Sequence, residues 1–285
     1  MPRPENRGPD RAEAKLLPDL DDTVVLRASY THQSFALHSH PTYVLALVTQ
    51  GALRFRCGNE VFVAPSGSAC LINPGEVQTG EAASDLGWSY CSAYVPVSVF
   101  GMVEARPDQA CAPLFGPRVV SDGAVTAALS MFFSDVHTAP DLARTEQRLA
   151  CLSRVVERCG TGVAPEAGEV SPRLVHRARD FMAENFGGAL KLNDVAQACE
   201  VTGFHLTRAF KRHTGLALHA WLVQHRIERA RARLLGGEPV AETALACGFS
   251  DQAHMTRWFR RVLGLTPGDV RAMSRTFKTG TPRSR

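Results

Sequence analysis

The chain has 285 residues, 45% hydrophobic and 21% charged, with 32 Lys and Arg against 28 Asp and Glu for a formal charge of +4. That is length and apolar content for two globular domains with a core each. No apolar run approaches the ~18 residues of a membrane-crossing helix, which excludes a helical membrane protein.

The charge is unevenly held. From Ser171 onward 19 Lys and Arg face 9 Asp and Glu, while the preceding part carries 13 and 19. A basic C-terminal domain on a mildly acidic N-terminal one points to one polyanion-binding end. The opening Met1–Arg11 is polar, without a hydrophobic signal region, and residues 1–20 are expected to be a disordered tail of a cytoplasmic protein.

Residues 21–105 are predicted to be a β domain. Thr23–Tyr30, Tyr43–Thr49, Ala52–Cys57, Val61–Val63, Ser68–Ile72 and Trp88–Tyr94 are short runs rich in β-branched and aromatic residues. Turn chemistry separates them at Gln50-Gly51, Gly58-Asn59, Pro65-Ser66-Gly67 and Asn73-Pro74-Gly75. Short strands at this spacing suggest a small sandwich or barrel. The eight cysteines, at 57, 70, 91, 111, 151, 159, 199 and 247, form no CxxC pair and read as reduced structural thiols.

Residues 106–160 are expected to be helical. Ala124, Ala127, Ala128, Met131 and Phe132 make one apolar stripe, and Leu142, Leu149, Leu152, Val155 and Val156 another, with a break at Thr138–Asp141. Such a hairpin packs on the β domain or pairs with a second copy; spacing alone does not decide. Residues 161–170 have linker composition, running on from Gly160. Ser171-Pro172 then opens a helix that ends at Gly187-Gly188.

The stretch Val201–Leu216 returns 49 residues later as Ser250–Leu265. In that register His205 meets His254, Thr207 meets Thr256, Arg208 meets Arg257, Phe210 meets Phe259 and Gly215 meets Gly264. Each copy is an amphipathic helix. Leu206, Ala209 and Phe210 make the apolar stripe of the first, and Met255, Trp258, Phe259 and Val262 that of the second. Thr202 and Ser250 or Asp251 can cap the N-termini, and Gly215 and Gly264 the C-termini. A short apolar helix precedes each copy, Leu192–Cys199 and Val240–Cys247. Short helix, tight turn and basic helix make a helix-turn-helix, predicted twice, at 190–216 and 240–265, within a domain of residues 171–275 followed by a tail of 276–285. Ala217–Leu234 has no breaker and would join the repeats as one helix of about 27 Å. Arg226, Arg229, Arg231 and Arg233 decorate it, some of them expected to pair with Glu228 or pack the domain.

These two copies, with Ala241, Ala244, Gly248-Phe249, Phe259 and Gly264-x-x-Pro267, resemble the DNA-binding domain of the AraC/XylS family of transcription regulators. Ala217-Leu218 departs from the Pro usual there. His38-x-His40, Tyr43, Gly51 and Leu71–Gly80 resemble the cupin-like sensor domain of such regulators. The fold expected is therefore α+β and multidomain: a cupin-like β-barrel with a helical hairpin, then an all-α tandem helix-turn-helix domain. The resemblance implies a regulator, activating more often than repressing, that binds promoter DNA as a homodimer through the hairpin, with RNA polymerase as partner when it activates. It places base-reading positions on Phe204, Thr207 and Arg208, and on Gln252, Ala253, Thr256 and Arg257. Arg208 and Arg257 suit guanine, Gln252 adenine, and Phe204 or Ala253 a thymine methyl; Lys211, Arg212, Arg260 and Arg261 are phosphate candidates. A small-molecule effector is expected in the barrel near His38, His40, Tyr43, Gln78 and Trp88, with the two histidines on one face of a strand. No cofactor or metal is expected, because Gln78 stands where catalytic cupins carry their later His and no Glu follows the pair. The alternatives are a constitutive binder whose N-terminal domain only dimerises, and a metal-dependent cupin enzyme with a DNA-binding tail.

Overall fold

The computed structural model describes residues 10–103, 113–134, 136, 141–161 and 172–278. Contacts divide the chain into two compact units: residues 1–34 and 39–165 make up the first, and residues 166–285, grouped with 35–38, the second.

The first unit is built on a nine-stranded sheet. In chain order the elements of residues 10–161 are β1 (Arg11–Leu17), β2 (Thr23–Tyr30), β3 (Ser34–His38), β4 (Tyr43–Cys57), β5 (Glu60–Pro65), β6 (Ala69–Ile72), β7 (Gln78–Ala82), β8 (Trp88–Val95), α1 (Val97–Phe100), β9 (Leu114–Phe115), β10 (Val119–Val120), α2 (Gly123–Ser134), α3 (Leu142–Cys159) and β11 (Gly160–Thr161). The main path is β1-β2-β8-β4-β6-β10, and its described pairings leave two ends rather than closing a barrel.

β4 organises the sheet. Its first half pairs with β8, Tyr43 opposite Val95 and Val48 opposite Tyr90, and with β6; its second half pairs with β5 and β7. The change of partners falls at a register shift between Val48 and Gln50. Gly51 beside it has φ +64°, and a Cβ there would lie 2.1 Å from the carbonyl oxygen of Gly87. Gln50-Gly51 is thus a kink inside one strand, not a turn between two, because a glycine bulge bends a strand without ending its ladder.

Alternation along β4 and β8 gives the sheet two buried faces. Tyr43, Leu45, Ala93 and Val95 lie on one, against Leu129 and Phe132 of α2 and Leu152 and Val155 of α3. Each such large side chain fully buried contributes about 1.5–3 kcal/mol. The stripe of α2 is Val125, Ala128, Leu129, Phe132 and Phe133 rather than the one expected, and Met131 is 51% exposed. Turning the helix this way puts Val, Leu and a second Phe inside in place of two alanines and a methionine. On α3, Leu142 is 76% exposed while Arg148 is buried.

Three boundaries differ from expectation. Residues 11–20 are not tail: β1 pairs along its length with β2, and Leu16, Leu17 and Leu20 are buried. The sheet runs past residue 105, since β10 pairs with β6, and buried Asn73 both donates to the Phe115 carbonyl and accepts from its N–H. The linker begins later than Gly160, because Gly160 and Thr161 form β11 against β9. The expectations for residues 1–9, the break at 138–140, the rest of the linker, Ser171 and the tail from 279 lie outside the described residues; 276–278 belong to a helix.

The second unit is helical: α4 (Pro172–Glu184), α5 (Leu192–Ala198), α6 (Gly203–Thr214), α7 (Leu218–Leu235), α8 (Val240–Ala246), α9 (Gln252–Leu263) and α10 (Pro267–Lys278). Leu206, Ala209 and Phe210 of α6 are buried with Val175, Ala178 and Met182 of α4, Val195 of α5 and Leu222 of α7. No helix among the described residues is long and apolar enough to cross a membrane.

Candidate functional site

The two helix-turn-helix units are α5–α6 and α8–α9. Thr202 caps α6, its hydroxyl accepting from the N–H of His205 at 3.3 Å; Asp251, not Ser250, caps α9, accepting from the N–H of His254 at 2.6 Å. That backbone hydrogen bond, then the Ser250 hydroxyl, holds the Asp251 carboxyl below the usual range. Both helices end on a glycine in the left-handed region, Gly215 at φ 73° and Gly264 at φ 70°. The turns differ by one residue: α5 and α8 start 48 positions apart, α6 and α9 start 49 apart.

Burying the apolar stripe turns the basic face of each helix outward. Arg208, Lys211 and Arg212 on α6, and Gln252, Ala253, Arg257, Arg260 and Arg261 on α9, are exposed. Phe204 is 78% exposed, a large apolar side chain in the first turn of a basic helix. Thr207 and Thr256 are half-buried, and each hydroxyl donates to the carbonyl four residues back, Gly203 and Gln252, at 2.8 Å. Each can still accept a hydrogen bond, but its proton is committed to the helix. Arg261 lies over the Trp258 ring at 5.6 Å from its centroid. The connector α7 has the expected single-helix form; half-buried Arg226 donates to the carbonyls of Phe186 and Gly188, and exposed Arg233 donates to Glu238. Burial pushes the Glu228 carboxyl up, with Arg231 opposing.

One cluster was not legible beforehand. The Trp258 indole N–H donates to Nε2 of His254 at 3.0 Å, and Nδ1 of that ring lies 3.1 Å from the Ser250 hydroxyl. The imidazole thus ties the first turn of α9 to its second. His and Trp four residues apart on one helix face carried the signal.

Family models match both units: the AraC-like ligand binding domain over residues 22–153 and a helix-turn-helix domain over residues 174–273. The chain belongs to the AraC family of transcription regulators. It is a DNA-binding regulator with an N-terminal ligand-binding domain. Among its relatives, the HTH-type regulator YbfI of Bacillus subtilis is 25% identical over 225 residues, 78% of this chain and 82% of YbfI. The activator RhaS of Yersinia pseudotuberculosis is 21% identical over 256 residues, 87% of this chain and 93% of RhaS. Among solved structures, ToxT of Vibrio cholerae O395 shares the fold at a TM-score of 0.52 and 12% identity, over 96% of this chain and 98% of ToxT.

In this AraC-family ligand-binding unit the five expected effector residues do not form one cluster. β3 ends at His38, and His40 lies beyond it, so the two rings do not share a strand face. His38 Nδ1 lies 2.6 Å from the Ala36 carbonyl, which can only accept, so that nitrogen carries the proton; burial lowers the pKa of the ring, against this hydrogen bond. Tyr43 lies on the helix-covered face, donates to the Pro113 carbonyl at 2.6 Å and packs against Phe100 and Phe115. Trp88 and His40 belong to the opposite face. Trp88 packs on Tyr30 and Tyr90, and His40 on Tyr94 at a ring distance of 4.9 Å. Trp88, Tyr90, Ser92 and Tyr94 alternate along that face of β8, and burial holds the Tyr90 hydroxyl well above its ordinary pKa. Gln78 is buried at the start of β7, opposite Cys57. Among the described residues no three His, Cys, Asp or Glu side chains converge as a metal site would require.

Proposed function

We propose that the chain reads promoter DNA with α6 and α9 and that a small-molecule effector held in the N-terminal unit controls this binding. The observation that carries the DNA reading is the duplicated geometry: two capped helices with matched buried stripes, each presenting an exposed arginine, Arg208 and Arg257, at the same place. Arginine on an exposed helix face can donate two hydrogen bonds to guanine O6 and N7. Lys211, Arg212, Arg260 and Arg261 would hold phosphates, and Phe204 or Ala253 would meet a thymine methyl. The half-buried Thr207 and Thr256 are weaker candidates than the sequence suggested, contributing as acceptors at most.

The effector reading rests on the match to a ligand-binding domain and on the aromatic, hydroxyl-bearing face of Tyr30, Trp88, Tyr90, Ser92, Tyr94 and His40. ToxT, whose fold this chain shares, has also been crystallised with an unsaturated fatty acid bound. An effector shifts the balance of DNA-competent and incompetent states only as far as it binds them unequally. The regulator is taken to act in the cytoplasm as a homodimer, with RNA polymerase as its partner if it is an activator; exposed Met131 and Leu142 on α2 and α3 suit a pairing surface. The test is selection of a binding site from random duplexes, then a small-molecule screen on that site. A compound that changes DNA affinity in the intact protein and not in a Tyr90→Ala, Tyr94→Ala double variant supports the reading. Tight DNA binding that no compound alters would leave the constitutive alternative standing.

A further inference from the structure

Beside the first helix-turn-helix, between α4, α5 and α7, lies a cavity of about 260 Å³. Its walls are Met182 of α4, Leu192 and Val195 of α5, and Leu218 and Leu222 of α7, with Thr207 of α6 at one side. Lys191 and His219 also line it, and both are exposed residues at its rim. Lys191 has no ion-pair partner among the described residues. Its neighbour Asp194 is engaged by the main chain, accepting from the Lys191 N–H at 2.8 Å.

The repeat supplies an internal control. At the corresponding places the second copy has Pro239 for Lys191, Thr243 for Val195, Gly268 for His219 and Arg271 for Leu222. An apolar floor with two nitrogen-bearing side chains at the rim therefore belongs to the first copy alone and is no by-product of the motif. The caps differ in the same region: Thr266 and Asp269 exchange hydrogen bonds at the start of α10, while Ala217 leaves α7 without a side-chain cap.

The geometry points to a second ligand site, inside the DNA-binding unit, for a small hydrophobic carboxylate. A cavity of roughly 150 Å³ holds benzene. In proportion this one holds about ten non-hydrogen atoms, a ring with a short chain. The apolar part lies against Leu192, Val195, Leu218 and Leu222, and the carboxylate meets the Lys191 ammonium at the mouth, a charge-assisted contact. Because Thr207 belongs to α6, the occupied cavity abuts a helix that faces DNA. The site is separate from the N-terminal effector site and stands or falls independently of it.

The test uses the full chain with methyl-labelled Leu and Val, titrated with 3-phenylpropanoate and, in parallel, with 3-phenylpropan-1-ol. The expected result is saturable shifts of the Leu192, Val195, Leu218 and Leu222 methyl signals with the acid, at least tenfold weaker binding of the alcohol, and a similar loss of acid binding in Lys191→Gln and Lys191→Glu. Both variants change an exposed side chain, and an unchanged melting temperature verifies that they fold. Absence of shifts at these methyls at millimolar acid overturns the proposal. So does equal binding of acid and alcohol, undiminished binding in the Lys191 variants, or shifts confined to the N-terminal unit.

Discussion

Arg148 offers the sharpest test of how the N-terminal segment is held. It lies on α3 with 4% of its side chain exposed and pairs at 2.8 Å with Asp19, whose side chain is 11% exposed. The same carboxylate oxygen accepts from the Thr145 hydroxyl at 2.9 Å. Arg148→Met keeps most of the packing of the stem but leaves the largely covered Asp19 carboxylate held by one neutral donor. Removing one partner of a buried pair costs about 3–5 kcal/mol, because the remaining charge is uncompensated. The surviving Thr145 bond puts the expectation near the lower bound, about 3 kcal/mol. The double variant Asp19→Leu, Arg148→Met removes both charges and should return to within about 1 kcal/mol of the parent. Hydrogen exchange of peptides from β2 and β8 in rising urea reads the first unit by itself. A single variant less than about 1 kcal/mol below the parent, with a double variant no better, would refute the reasoning.

Other expectations follow from the same geometry. Gly51→Ala should destabilise the first unit by more than about 1 kcal/mol, since φ +64° and the Gly87 carbonyl both oppose a Cβ; its urea midpoint measures this. Lys211→Ala should weaken all DNA sequences alike and lower the slope of affinity against salt by about one, read by titration at several salt concentrations. His38 has a folded pKa below its ordinary 6.5, so the unfolded chain takes up the proton first as the medium acidifies. Its contribution is complete above that value and lost as pH falls from it through the lowered folded pKa, and His38→Phe should flatten that limb of a stability-against-pH curve.

What the residue pattern revealed and what it concealed have physical causes. The helix-turn-helix pair was legible because caps, apolar stripe and terminal glycine are local features, repeated once in register. β2 was legible from its β-branched run. β1 was not: Arg11-Ala-Glu-Ala-Lys has no β-branched residue, and its extended form comes from pairing with β2. The side taken by Tyr43 could not be read from Tyr43-Val-Leu-Ala-Leu-Val48, which is apolar on both faces because both faces are buried. The pattern therefore leaves the side of Tyr43 open, and Tyr43 lies under the helices rather than with Trp88 and His40. The His38-x-His40 spacing promised a shared strand face, but β3 ends between them. Arg148 sits in an apolar stripe only because Asp19, 129 residues earlier, meets it.

The central claim is that two equivalent helices read bases. Its most direct test is footprinting on a selected duplex, at two salt concentrations, with Arg208→Ala and Arg257→Ala beside the parent. Protection of two major-groove segments is expected, with each variant losing its own segment, about 1–3 kcal/mol of affinity and its preference at one base position. Both variants weakening every sequence equally, with no base position relaxed, would contradict it and make these arginines phosphate contacts.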